Sequence, residues 1–354
     1  MKHKRTLAPT LLLIPALMAM ESRGESPAFG PSDGTSLVKH VQDSTSIALD
    51  EMSVIVGGQD MSEMLGGMEM EQTTDLAISV TDVFVTVSGG RPVKLTRTFD
   101  SLSTKSTSSA TNPMESGEAQ EMEFTGSSEL EGETVHFAWD AESGEYDVKL
   151  DEESDGDEAL LEGLLEDMDL RAFLPQDEVS PGDAWDVDPS ALRTVFAPGG
   201  AVKIEPDDME SAGMGMGGNS PPNLGEFLEE FDGEVTVKFE SVEGGIAILS
   251  LTVDVASSAD LTDWLQDMMD SQEMPDGIEI EMDVESFDME FTFEGTGELR
   301  WNLSAGHFAG LTLEGDIEVI SDTAMSFNMG GMEQAIENSL TMSGTKKVTY
   351  KIGE

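Results

Sequence analysis

The sixteen residues from Ile278 to Phe293, IEIEMDVESFDMEFTF, decide the fold class. Ile278, Ile280, Met282 and Val284 fall on one side of the alternation and Glu279, Glu281, Asp283 and Glu285 on the other. At Ser286 the phase reverses, and Phe287, Met289, Phe291 and Phe293 become the apolar set. A period of two is that of a β-strand with one face buried and one in water. A one-residue slip would turn the apolar set outward, so the reversal predicts a bulge or sharp bend at Ser286 that keeps both sets on the core side.

The same grammar extends in both directions. EVTVKFESVEGGIAILSLTVDV sets Val235, Val237 and Phe239 against Leu249, Leu251, Val253 and Val255 around Gly244-Gly245. DVFVTVSGGRPVKLTRTF does so around Gly89-Gly90, and paired glycines supply the positive φ of a tight hairpin turn. Further strands are expected at 46–56, 75–87, in EMEFTG, TVHFAWD and EYDVKL, and in ELRWNLS, GLTLEGDIEVI, AMSFNM and KKVTYKI. Strands with one apolar and one charged face belong to antiparallel sheets.

Elsewhere the period changes. In DEALLEGLLEDMD, 157–169, Leu160, Leu161, Leu164, Leu165 and Met168 share one helical face, and Leu261, Trp264, Leu265, Met268 and Met269 repeat that spacing after an Asp260 N-cap. A short third helix is expected over Leu224 to Phe231. The Ser/Thr-rich stretch 101–118 reads as an exposed loop, and PGGAVKIEPDDMESAGMGMGGNSPP, 198–222, as a long loop or linker. The fold class is therefore α+β with β dominant: a large curved antiparallel sheet or half-barrel of meandering hairpins, with two or three amphipathic helices packed on it.

The chain begins with MKHKR and an apolar run from Leu7 to Met20, the pattern of a secretory signal peptide over 1–24, with cleavage after Ala19 or Gly24. Residues 25–36 read as a flexible lead-in. Residues 37–354 form a β-rich domain, either one unit or two subdomains, 37–197 and 223–354, joined by 198–222. The expected location is periplasmic or extracellular. No later run is long and apolar enough for a second span, so the mature chain is expected to be free of stable membrane insertion.

The 354 residues contain no Cys, which removes disulfides and thiolate chemistry. With 72 acidic against 18 basic residues the net charge is −54, which repels nucleic acid and anionic membranes and suits a saline setting. Acidic edge strands favour a monomer.

Chemistry is sparse. His40, His136 and His307 stand outside any HExxH or GxSxG context, and no phosphate loop or dinucleotide fingerprint occurs. Carboxylate pairs are uninformative in so acidic a chain, and no catalytic residue is assigned. The methionine clusters reflect general usage of that residue and assign no copper site. The segment DEESDGDEALLE, 151–162, approximates a calcium loop, with Asp151, Glu153, Asp155, Asp157 and Glu162 as ligands and Gly156 at the turn, although a strand precedes it and Glu153 replaces the usual Asp or Asn. Any specific Ca²⁺ would be expected there; an acidic helix start is the simpler reading.

LPQDEVSPGDAWDVDPSAL, with Leu174-Pro175, Val179, Gly182-Asp183 and Trp185, resembles a motif of exported, signal-peptide-bearing, β-rich bacterial proteins of uncharacterised function, as does GTGELRWNLSAGHFAGLTLEGDIEV. The resemblance covers about two thirds of the mature chain. It implies a turn at Gly182-Asp183, a buried Trp185 and no particular chemistry. Two functions follow: a non-enzymatic envelope protein that binds an apolar ligand or a partner protein on its curved sheet, and, as the alternative, a carboxylate-dependent secreted hydrolase with structural calcium.

Overall fold

A computed structural model describes residues 26–62, 68–111, 119–154, 156–207, 230–270, 280–329 and 332–353. The leader, the middle of the Met/Gly-rich stretch 61–70, Asp155, most of the 198–222 segment and most of 224–231 lie outside them.

Among the described residues, fourteen antiparallel strands form one open sheet. They are β1 (Thr35–Val56), β2 (Gln59–Asp60), β3 (Glu69–Ser88), β4 (Arg91–Thr111), β5 (Ala119–Ser127), β6 (Thr134–Asp140), β7 (Glu145–Leu150), β8 (Ala184–Val187), β9 (Glu205–Pro206), β10 (Asp232–Glu243), β11 (Ile246–Asp260), β12 (Ile280–Asn302), β13 (His307–Met329) and β14 (Met332–Ile352). The order across the sheet is β7-β6-β4-β3-β1-β14-β13-β12-β11-β10-β8. Neighbours in the sheet are mostly neighbours in sequence. Pairs β1–β3, β4–β6 and β8–β10 skip one short strand or a connecting segment, and the long-range pair is β1 beside β14, which seats the first long strand against the last. β12 and β13 each run 23 residues, about 75 Å at the usual rise.

The hairpins at Gly89-Gly90 and Gly244-Gly245 form as expected, with φ of +62° and +75°, and of +59° and +86°. The phase reversal is a bulge in β12: pairing with β13 steps from Val284 to Ser286 and skips Glu285. Val284, Phe291 and Phe293 are buried on the same side of the sheet as a result.

Curvature comes from residues that lack a Cβ. Gly295 and Gly315 face each other across β12 and β13, and Gly344 of β14, two residues further along and paired to Ile317, would with an added Cβ stand 1.9 Å from the Ser46 carbonyl oxygen. A Cβ on Gly315 would stand 2.3 Å from the Glu294 oxygen. Neighbouring backbones can press this closely only where side chains are missing, and that lets long strands bend across the core. Gly344→Ala is expected to lower stability by about 1–3 kcal/mol in a urea titration, the usual cost of forced overpacking.

Several sequence expectations need correction. The 157–169 stretch is not a helix: one 3₁₀ turn, Glu158–Leu161, is followed by a turn at Glu162-Gly163, a single bridge from Leu164 to Gly200 and irregular chain. Gly163 there has φ +73°, its carbonyl accepts from Ala201 N, and Leu165 N donates to Gly199 O. The apolar spacing comes from burial of Leu160, Leu164 and Met168 against the sheet. The Ser/Thr stretch from Ser101 to Thr111 is not a loop but the distal half of β4, paired to β3 and β5. Thr is a good strand former, and the Thr74 and Ser106 hydroxyls bond each other at 3.1 Å across the ladder. Finally, the start of the expected linker is interior, since Gly199 and Gly200 are buried with Val202.

Residues 26–36, read as a flexible lead-in, are held in place. Pro27 and Pro31 are buried, Gly30 N donates to Gly306 O, and the Trp301 indole donates to Ala28 O at 3.1 Å. The longest helix among the described residues, Thr262–Asp270, forms where the spacing placed it and is capped by Asp260, which accepts from Thr262 N at 3.0 Å. It also closes an open edge of β12: Gln266 accepts from Val284 N and Thr262 accepts from Phe287 N, at 2.8 and 2.9 Å. Edge amides satisfied in this way cannot template another strand.

Candidate functional site

The inner face of the curved sheet has two halves. In the proximal half the concavity is filled by the chain itself. Residues 158–202, here termed the strap, cross it and bury Leu160, Met168, Phe173, Leu192, Val195 and Phe196 among strand residues such as Phe99, Phe239 and Phe293. Trp185 is half-buried against this core, its indole donating to Phe173 O, and Gly182 makes the turn before it at φ +103°.

Strap and sheet also meet through charges. Asp82 of β3 accepts from Lys39 of β1 at 2.7 Å and from Arg97 of β4 through Nε and Nη2 at 2.7 and 2.8 Å. Arg97 then reaches the strap, donating to the carbonyls of Leu165 and Glu166 at 3.0 and 2.8 Å. From the strap, Asp169 returns to Lys39, while Arg171 contacts Asp169, Glu166 and Asp167. Burial opposes the charge on Asp82, but Arg97 and Lys39 outweigh it and hold its carboxyl at about 2. Burial dominates for Glu166 and Asp169 and pushes both carboxyls up. Leu170, between Asp169 and Arg171, sits at φ +57°, a conformation a side chain adopts only where surrounding contacts enforce it. A second buried pair joins Lys346 of β14 to both oxygens of Asp43 in β1, at 2.7 and 2.6 Å, beside the Phe196 ring.

Beyond the strap the inner face is hydroxyl- and amide-lined on β3 and β4, by Gln72, Thr74, Thr104 and Ser106, and carries an apolar strip, interrupted by Ser321 and Thr323, across β1 and β12 to β14. β1 presents Leu49, β14 Leu340, β13 Val319 and Met325, and β12 Phe287 and Met289, all on the side of the sheet that carries Val41 and Asp43. Each is part-buried, unlike the closed proximal core. The helix Thr262–Asp270 sets Trp264 against Phe287, with ring centroids 6.2 Å apart. On a curved sheet this arrangement makes a shallow apolar trough with an aromatic end. Sequence reasoning gave the inward identity of the β12 residues from their alternation. It missed the ion cluster, because a lone Lys, Asp or Arg in an acidic chain carries no sign that it turns inward.

The residues singled out for metal and acid-base chemistry serve local structure. Asp151 accepts from Glu153 N at 3.0 Å and meets His136 Nε2 at 2.8 Å, while Asp157 caps the 3₁₀ turn through Ala159 N. Glu162 ends that turn, and Asp155 lies outside the described residues. Among the described residues no three His, Asp or Glu side chains gather into a metal-holding group. His136 bridges Thr96 and Asp151 across β4, β6 and the end of β7, with Thr96 Oγ1 3.1 Å from its Nδ1. A hydroxyl, an imidazole and a carboxylate are thus in line, on an open face of the sheet with half-exposed partners. His307 opens β13, its Nδ1 2.7 Å from the Phe308 carbonyl oxygen.

The outer face carries the excess acid. A trough of about 830 Å³ over the glycine bend is lined by Glu234, Asp254, Glu294, Glu314 and Asp316, with Lys347 paired to Glu314 at 2.9 Å. Lys39, Arg97 and Lys346 are buried together with Asp43, Asp82, Glu166 and Asp169, so the large negative net charge is carried by the surface. The melting temperature is expected to rise as salt is raised from 0.01 M to 1 M, over which the screening length shrinks from about 30 Å to about 3 Å. Differential scanning calorimetry across that range checks this.

No protein-family model and no curated protein matches the chain. Among solved structures, the InvG secretin domain β-barrel from the Salmonella SPI-1 injectisome NC-base aligns with 90% of this chain at 7% identity and a TM-score of 0.13. The chain spans 63% of that protein, and a likeness at this level fixes neither fold nor function.

Proposed function

We propose that this is an exported, non-enzymatic envelope protein that holds an apolar ligand in the distal half of its curved sheet. The basic, then apolar, leader supports export. The observation that carries the binding reading is the difference between the two halves. The strap packs into the proximal concavity, whereas Leu49, Leu340, Val319, Phe287 and Met289 form an apolar strip in the distal half with their side chains only part-buried. Apolar walls with few polar groups suit acyl or other hydrocarbon chains. The helix-capped edge of β12 and the anionic outer face favour a monomer that carries its ligand singly.

The test is native mass spectrometry of the mature protein purified gently from its own envelope fraction. An apolar adduct is expected on the wild type and is expected to be lost in Leu340→Glu and Met289→Glu, with far-UV circular dichroism unchanged. A bare wild-type chain that also fails to take up a fluorescent fatty acid overturns the reading.

A further inference from the structure

Lys39, Asp82 and Asp169 share a site closed to water. The Lys39 ammonium touches a carboxylate oxygen of each aspartate, Asp82 Oδ2 at 2.7 Å and Asp169 Oδ1. Lys39 and Asp82 are fully buried and Asp169 is 2% exposed. The rings of Phe84 and Phe308 wall the site, 5.3 and 5.8 Å from the nitrogen. The two aspartates are not equivalent. Arg97 grips both oxygens of Asp82 from the far side, whereas Arg171 holds only Oδ2 of Asp169, at 3.2 Å, and leaves Oδ1 to the lysine.

We propose that Lys39 and Asp169 condense to an amide, a covalent cross-link between β1 and the strap, with Asp82 as the neighbouring carboxylate that moves the proton. An ammonium and a carboxylate are costly to keep charged in a dry, aromatic site, and a proton passed from Lys39 to Asp169 leaves a neutral amine and a neutral carboxylic acid. Burial already pushes the Asp169 carboxyl toward its neutral form. The nitrogen lone pair then attacks Asp169 Cγ. Asp82 accepts the surplus N–H proton and returns it to the departing hydroxyl. One C–N bond forms, one C–O bond breaks, and one water leaves, with no oxidant or co-reactant. The contact of the two groups supplies the proximity that makes such a condensation effectively unimolecular.

Two further observations support the assignment. After condensation each remaining ion keeps its partner, Asp82 with Arg97 and Glu166 with Arg171, so no buried charge is orphaned. The Lys346–Asp43 pair is a contrast within the same molecule. Both oxygens of Asp43 engage the ammonium, and Thr45 supplies its other partner where Lys39 has a second carboxylate. That pair stays ionic. In an exported chain with no Cys, an amide closing 130 residues does the work a disulfide does elsewhere.

The experiment is intact-mass spectrometry of the denatured wild-type protein beside Lys39→Arg, which keeps the charge and cannot form the amide, followed by peptide sequencing of both. The expected wild type is lighter than its uncondensed sequence by one water and yields a branched peptide joining Lys39 to Asp169, while Lys39→Arg has its full mass. Asp82→Asn is expected to accumulate uncondensed chain. A wild type with full mass and linear peptides carrying free Lys39 and Asp169 overturns the proposal. So does a branch at Asp82 or between Lys346 and Asp43, and a fully condensed Asp82→Asn removes the role given to Asp82. The wild-type measurement stands even if a variant fails to fold.

Discussion

Asp82→Ala is expected to cost about 3–5 kcal/mol, enough to leave a protein of ordinary stability largely unfolded. Asp82 alone accepts from both Lys39 and Arg97, so its removal leaves the Arg97 guanidinium in the core with only carbonyl partners. A solvent-exposed pair such as Lys105–Glu123 forms at a similar distance, but deletion of either partner there is expected to cost under about 1 kcal/mol, because water replaces the lost contact. Burial, not distance, sets the difference. Urea titration of Asp82→Ala beside Glu123→Ala measures it; equal losses would show that the buried cluster is not what holds the strap to the sheet.

The same residue gives the stability an acid limb. Its carboxyl is held at about 2 against an ordinary 3.8, so its contribution is complete above pH 3.8 and is lost as pH falls toward 2. The amount is about 2 kcal/mol by linkage. Glu166 runs the other way. Burial raises its carboxyl, so its ionisation weakens the fold as pH rises above its unfolded value, and mild acid is favourable there. Stability is therefore expected to be greater in mild acid than at pH 2, and Asp82→Asn should flatten the acid limb.

Trp301→Ala is expected to cost about 3–5 kcal/mol, the range for emptying a large aromatic site. Trp301 is fully buried in β12 where the strand ends, and its indole N–H ties the 26–34 segment to the sheet through Ala28 O. Trp301→Phe keeps most of the ring, loses that bond and leaves a gap where the indole nitrogen packed. A cost of about 1–3 kcal/mol is expected for it, together with faster amide exchange at Gly30, whose N–H bonds Gly306 O nearby. If both substitutions cost the same, the hydrogen bond rather than the volume holds this end of the molecule.

Strand identity, hairpin turns and the phase reversal in β12 were legible because they depend on nearest neighbours: a period of two, a pair of glycines, a doubled polar position. The helix Thr262–Asp270 was legible for the same reason, since its cap and its stripe lie within one segment. The 157–169 stretch misled because apolar residues spaced three and four apart can be buried without a helix when Gly163 breaks it and the 199–201 segment supplies its backbone partners. Ser101 to Thr111 misled because hydroxyl-rich strands have no apolar signature, and only pairing on both sides makes them strands.

By itself, then, the sequence determined the antiparallel class, the hairpin order, the acidic surface and the absence of any cysteine bond. Tertiary structure alone decided that β1 lies against β14, that the strap fills one half of the concavity and leaves an apolar strip part-buried in the other, and that Lys39, Asp82, Arg97 and Asp169 meet out of water. The reason is range. Periodicity and turn chemistry act over a few residues, whereas the partners of a buried charge are set by which distant strands the folded sheet brings together, and Lys39 reaches Asp169 across 130 residues of chain.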